Sequence, residues 1–281
     1  MHDTTNRTRI KTSSIGNALG RVFWMLFTCI AALGVMQGNG RTQVLYVCQA
    51  GNPTVSEYSA TTGALINANF ITGLYCDGLL ASGNNLFVSG EFSNYIAEYN
   101  LSTGAPISAA FIGPLSNPAG LAVTGNDFFV ANMGNGTIGK YNATTGAPIQ
   151  PSLVTGLRTP WGTVLPANNT LLATSYDVIG KYKASTGAAI NANFITGVQD
   201  AIGLVLSGAD LFVANANANT VAKYKASTGA AINVQFISAD TLQEPSGLAI
   251  SGNPDNGFLC WQREEWQEGN IGFDGIELIG G

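Results

Sequence analysis

A chain of 281 residues has room for a large core, and only 10% of its residues are charged against 46% hydrophobic. Its 35 glycines, set among many Asn, Ser and Thr, suit short strands joined by tight turns and exclude a helical bundle. The net charge is −5, and between residues 43 and 253 six basic residues face ten acidic ones, so no basic stripe exists to neutralise phosphates and nucleic acid is excluded as a partner.

Residues 1–41 are expected to form a signal peptide or an N-terminal anchor. A basic, hydroxyl-rich stretch, NRTRIKTSS, precedes the apolar run VFWMLFTCIAALGVM at 22–36 and then polar QGNGRTQ. The run has the length of an export signal's apolar region and is short for a membrane span. No span is expected beyond it. The expected location is secreted, periplasmic or extracellular, with N-terminal anchoring if the segment is retained. Cys29 belongs to this segment. Cys48, Cys76 and Cys260 show no C-x-x-C spacing and no paired histidines, so zinc is not indicated. Buried free thiols are expected, with a Cys48–Cys76 disulfide as the alternative.

From residue 43 the chain repeats itself. EYSATTGALI (57–66), EYNLSTGAPI (98–107), KYNATTGAPI (140–149) and two copies of KYKASTGAAI (181–190, 223–232) place Tyr58, Tyr99, Tyr141, Tyr182 and Tyr224 at spacings of 41, 42, 41 and 42. A second series, Gly78, Gly120, Gly162, Gly203 and Gly247, steps by 42, 42, 41 and 44. A fixed period near forty means an array of one supersecondary unit. Each unit holds four short apolar runs, such as GLAV, FFVAN, TIGKY and APIQPSLV, separated by turn words. In INANF the residues Ile66, Ala68 and Phe70 alternate with Asn67 and Asn69, the period of a strand. In the repeated phrase the Tyr ends a strand, the Gly takes a positive-φ turn position, and the Thr hydroxyls bond nearby backbone. The phrase is structural punctuation. Glu57, Glu98, Lys140, Lys181 and Lys223, each just before the Tyr, are expected to be solvated.

Four antiparallel strands per unit define an all-β β-propeller of four-stranded blades. Five blades are expected, or six if the tail forms a degenerate blade. The propeller is assigned to 42–256 and a divergent tail to 257–281. The repeats begin at a second strand, Val44–Val47, so the first blade lacks an innermost strand; residues 247–250 are expected to supply it and close the ring.

The loops entering the innermost strands and those joining second to third strands fall on one face. They gather Asp77, Asn117, Thr159, Trp161, Asp200 and Glu244 with Glu91, Asn132, Tyr176 and Asn215. A funnel of acids, amides and two aromatics suits a cation, a sugar or a peptide. Asp77, Asn117, Trp161, Asp200, Glu244, Asn132 and Asn215 are the candidate ligand-binding residues.

The segment FFVANMGNGTIGKY (128–141) and the starts Pro118-Ala119-Gly120-Leu121-Ala122 and Pro245-Ser246-Gly247-Leu248-Ala249 resemble NHL-repeat propellers and the related gluconolactonase-like, senescence-marker propellers. The resemblance spans residues 43–253. It implies a divalent-metal hydrolase whose ligands include an Asp and an Asn just before the strand glycine. The matching positions here are Asp77, Ala119, Trp161, Ile202 and Ser246. Asp77 fits the Asp ligand, and no copy supplies the Asn. Lyases and hydrolases of similar fold that shuttle protons use histidine, and the one histidine is His2. No G-x-S-x-G motif occurs. The expectation is a non-enzymatic binding or protein-interaction module without catalytic residues or cofactor, whose partner is a protein, peptide or carbohydrate. The alternative is a gluconolactonase-like hydrolase with Asp77 on a divalent cation.

Overall fold

The computed structural model describes residues 31–34, 44–48, 53–59, 64–90, 93–238, 245–250, 258–262 and 277–279. They form a β-propeller with five four-stranded antiparallel blades. Blade 1 runs Ala31–Gly34, Val44–Cys48, Thr54–Ser59 and Leu65–Thr72. Blade 2 runs Cys76–Ser82, Asn85–Gly90, Ile96–Asn100 and Pro106–Ile112. Blade 3 runs Pro118–Thr124, Asp127–Asn132, Thr137–Asn142 and Pro148–Val154. Blade 4 runs Thr163–Val164, Thr170–Ser175, Val178–Lys183 and Ala189–Thr196. Blade 5 runs Ala201–Ser207, Asp210–Asn215, Thr220–Lys225 and Ala231–Ser238. Among the described residues the one helix is the 3-10 turn Ala216–Ala218, and no helix is long and apolar enough to cross a membrane.

Two features correct the expected closure. The innermost strand of blade 1 is Ala31–Gly34, which pairs with Val44–Cys48. It lies inside the apolar run assigned to export. Residues 247–250 therefore do not pair with blade 1. They belong to Pro245–Ile250, which pairs with Phe258–Gln262 and, through it, Glu277–Ile279. This three-stranded sheet fills the place between blades 5 and 1: Pro245–Ile250 lies against both their innermost strands. The tail thus supplies partner strands to an otherwise unpaired inner strand.

The core consists of layers between blades. Phe87, Ile96 and Ile112 of blade 2 pack on Phe128, Val130 and Tyr141 of blade 3. Blade 3 in turn buries Phe129 and Ile138 with Leu171 and Tyr182 of blade 4. Alternate residues of each second strand thus face opposite neighbours, which the strand period of two makes possible. The repeated tyrosines Tyr141, Tyr182 and Tyr224 are at most 6% exposed.

The turn phrase has the expected geometry. Gly104, Gly146, Gly187 and Gly229 sit at φ between +68° and +71°. The Thr103, Thr145, Thr186 and Thr228 hydroxyls each accept a backbone N–H two residues on, at 3.3 Å. Asn142 Oδ1 adds bonds from the Thr144 and Thr145 N–H groups at 2.9 Å. The residues before the tyrosines are not all solvated. Lys140 is 9% exposed and pairs with Asp127 at 2.7 Å, and Lys223 pairs with Asp210 at 2.8 Å. Where blade 2 carries Glu98, the facing partner is instead Asn85, whose Nδ2 donates at 2.6 Å. Position and partner change together, which solvation alone does not explain.

Candidate ligand-binding face

The upper face is held together by bonds between the loops that enter one blade and the loops that join second to third strands. Asn117 N–H donates to Asn94 Oδ1 at 3.2 Å, and Met133 N–H to Asn117 O at 3.0 Å. Ala216 N–H donates to Asp200 O, and Ala201 N–H to Tyr176 O, each at 3.1 Å. These loops turn through left-handed residues: Asn117 at φ +49°, Thr159 at +41° and Asp200 at +51° before the inner strands, with Asn94, Tyr176 and Asn219 after the second strands. Asn and Asp tolerate this conformation. Part of the polar signal at Asn117 and Asp200 is therefore a demand of the backbone.

The inner strands of blades 2, 3 and 5 carry a bulge at their upper ends. Against Cys76 and Gly78 stand Gly90 and Ser89, which leaves Asp77 as the extra residue. Blades 3 and 5 insert one residue at the same point. A bulge bends the strand and re-aims the side chain beside it. The following glycine is required by contact: a Cβ on Gly78 would collide with Ala119 O, on Gly120 with Trp161 O, and on Gly162 with Ile202 O. The column that the resemblance links to metal ligands is thus also where blade meets blade. The Ser89 hydroxyl donates to Ala119 O at 2.8 Å, and Gly120 N–H to Trp161 O at 2.8 Å.

Asp77 is 2% exposed, and its Oδ2 has no hydrogen-bond partner. Burial pushes its carboxyl up to about 7, because a low-dielectric surrounding penalises the charged form. The group can hold a proton or accept a cation near neutral pH. Asn117, Asn132 and Asn215 likewise each leave a buried Oδ1 without a partner. For Asn132 the orientation follows from its neighbours. Its Nδ2 donates to Thr137 Oγ1 at 3.3 Å, while that hydroxyl donates to Asn135 Oδ1 at 2.8 Å. Asn215 repeats the pattern with Thr220 at 3.4 Å.

The structure brings Asn117 beside Asn132, which borders Pro118 across the strand pair, and joins Asp200 to the loop after Asn215. Trp161 is half-buried, and its backbone N–H donates to Thr174 Oγ1 at 2.9 Å. Glu91 and Glu244 lie outside the described residues. Among the described residues no three of His, Cys, Asp and Glu gather as a metal site. Cys76, at the start of the same inner strand as Asp77, is disulfide-bonded, which corrects the free-thiol expectation there. Sequence reasoning missed Arg158, whose guanidinium lies 4.6 Å from the Tyr176 ring centroid. A lone arginine between turn residues carries no motif; its departure from the repeat was the available signal.

No protein-family model matches the chain, and no curated protein matches it in sequence. Solved structures do resemble it. A chain of the nidogen/laminin complex matches with TM-score 0.65 at 15% identity over 78% of this chain and 83% of that one. Virginiamycin B lyase from Staphylococcus aureus matches with TM-score 0.57 at 15% identity, over 82% and 77%. The computationally designed Ika8 protein matches with TM-score 0.52 at 15% identity over 82% of this chain, which spans 66% of that one. The nidogen/laminin and lyase structures contain β-propellers, and identities this low show the shared fold alone.

Proposed function

We propose that the protein is an exported, non-enzymatic β-propeller whose upper face binds a protein, peptide or carbohydrate ligand. The observation that carries this reading is the column before the inner-strand glycines. In blades 2 to 5 it reads Asp77, Ala119, Trp161 and Ile202, and its backbone carbonyls at Ala119, Trp161 and Ile202 serve the contact between blades. A hard cation needs several oxygen ligands converging on one point. This column offers one carboxylate. The amides and aromatics around it suit recognition of a neutral or weakly charged surface. Propellers host many activities, so the fold itself does not choose between binding and catalysis.

A second reading, a gluconolactonase-like divalent-metal hydrolase, is favoured by Asp77 and by the unpartnered oxygens of Asn117 and Asn132. Hydrolysis of aldonolactones with and without millimolar calcium, magnesium or zinc separates the two. The binding reading expects no turnover above background. Metal-dependent turnover lost in Asp77→Ala would establish the hydrolase instead.

A further inference from the structure

We propose that the upper face of blade 4 is a receptor for a ligand bearing a single carboxylate on a planar, apolar body, with Arg158 as its charge contact. This rests on the reading that the upper face binds ligand.

The repeats act as their own control, because a residue shared by every blade serves the scaffold. Blade 4 breaks the pattern in both of its upper loops. Entering the inner strand, Ser116-Asn117 of blade 3 and Gln199-Asp200 of blade 5 become Arg158-Thr159. Ala119 and Ile202 become Trp161. After the second strand, the four residues Met133–Gly136 are cut to Tyr176-Asp177, between Ser175 and Val178. The altered loops touch. The Arg158 guanidinium lies over the Tyr176 ring, and the Arg158 backbone N–H donates to Ser175 Oγ at 2.8 Å. Thr174, one residue before, accepts N–H bonds from Trp161 and Gly162 at 2.9 Å.

Arg158 is the only Arg or Lys in the described upper-face loops, and it is exposed. No carboxylate among the described residues pairs with it, Asp177 included. The tyrosine ring lies against the guanidinium, and the exposed group keeps N–H donors that can form a fork for a carboxylate. Asp177 and Asp200, on the same face of the propeller, weigh more heavily against a doubly charged phosphate than against a single carboxylate. The rings of Tyr176 and of half-buried Trp161 offer surface to a planar body.

The test is calorimetric titration of the full chain with indole-3-acetate, its uncharged amide and phenyl phosphate. The acetate is expected to bind in the millimolar range, and the amide and the phosphate at least about tenfold more weakly. Arg158→Gln should reduce acetate affinity to that of the amide without moving the melting temperature. Arg158→Lys, which keeps the charge and loses the fork, should fall between. Equal affinity for acetate and amide, wild-type affinity in Arg158→Gln, tighter binding of the phosphate, or no binding of any probe would each overturn the proposal. Metal-dependent lactone turnover would overturn the binding-module reading on a different readout, so the two failures are distinguishable.

Discussion

Asp77 holds its carboxyl where water does not reach, so its protonation is coupled to folding. In an unfolded chain an aspartate titrates near 3.9. In the fold, burial moves Asp77 to about 7. Across that window the folded state keeps a proton that the unfolded state has released. Its contribution to stability is complete below about pH 4 and is lost as pH rises through about 7. Burial raises Glu57 and Glu98 as well, in the same direction. Asp77→Asn, neutral at every pH, should match the wild type near pH 4 and exceed it at pH 8 by a margin on the order of a few kcal/mol. Thermal melts of both proteins across that range check this, and a difference independent of pH would refute it. Lys140 makes a complementary case. Asp127→Ala strands a nine-tenths-buried ammonium and should cost about 1–3 kcal/mol, while Lys140→Met should be close to neutral. Neither site was fully legible in the sequence. Asn117 and Asp200 look like ligand residues because Asn and Asp serve both binding and left-handed turns. The charge pairs were hidden because their partners sit on a different strand.

Strand and turn order was legible because it repeats. A period near forty, four apolar runs per period and one turn phrase leave little choice but a four-stranded blade. The inner-strand glycines were legible for a related reason: only glycine fits where Gly120 meets the Trp161 carbonyl of the next blade. Gly120→Ala should therefore cost about 3 kcal/mol through overpacking. Gly125, at φ +55° with open space around its Cβ position, should cost about 1–2 kcal/mol as alanine, through backbone strain alone. Urea unfolding of the two variants tests the ranking, and a reversed order would contradict the blade-to-blade contact. The innermost strand of blade 1 was not legible. Apolar 22–36 has the composition of an export signal, and small apolar residues such as Ala31, Ala32 and Gly34 serve an inner strand equally well.

At the scale of the ring, the tail and the N-terminal segment decide how the edges are covered. Deleting 257–281 would remove the partners of Pro245–Ile250 and expose an unpaired edge beside blades 5 and 1. The truncated protein should associate in size-exclusion chromatography and melt earlier; an unchanged monomer would show that these strands are dispensable. Export with removal of roughly the first forty residues, which we propose, would take Ala31–Gly34 away from Val44–Cys48. Intact mass of exported protein distinguishes the outcomes, since a chain starting at Met1 keeps that strand. If the upper face binds its ligand without metal chemistry, a thermal melt in millimolar calcium, magnesium or zinc will reveal no metal site. A site filled at a hundred times its dissociation constant would add about 2.7 kcal/mol, a shift of several degrees for a domain of this size. The melting temperature is expected to stay unchanged with each ion; a clear rise that Asp77→Ala abolishes would refute metal-free binding.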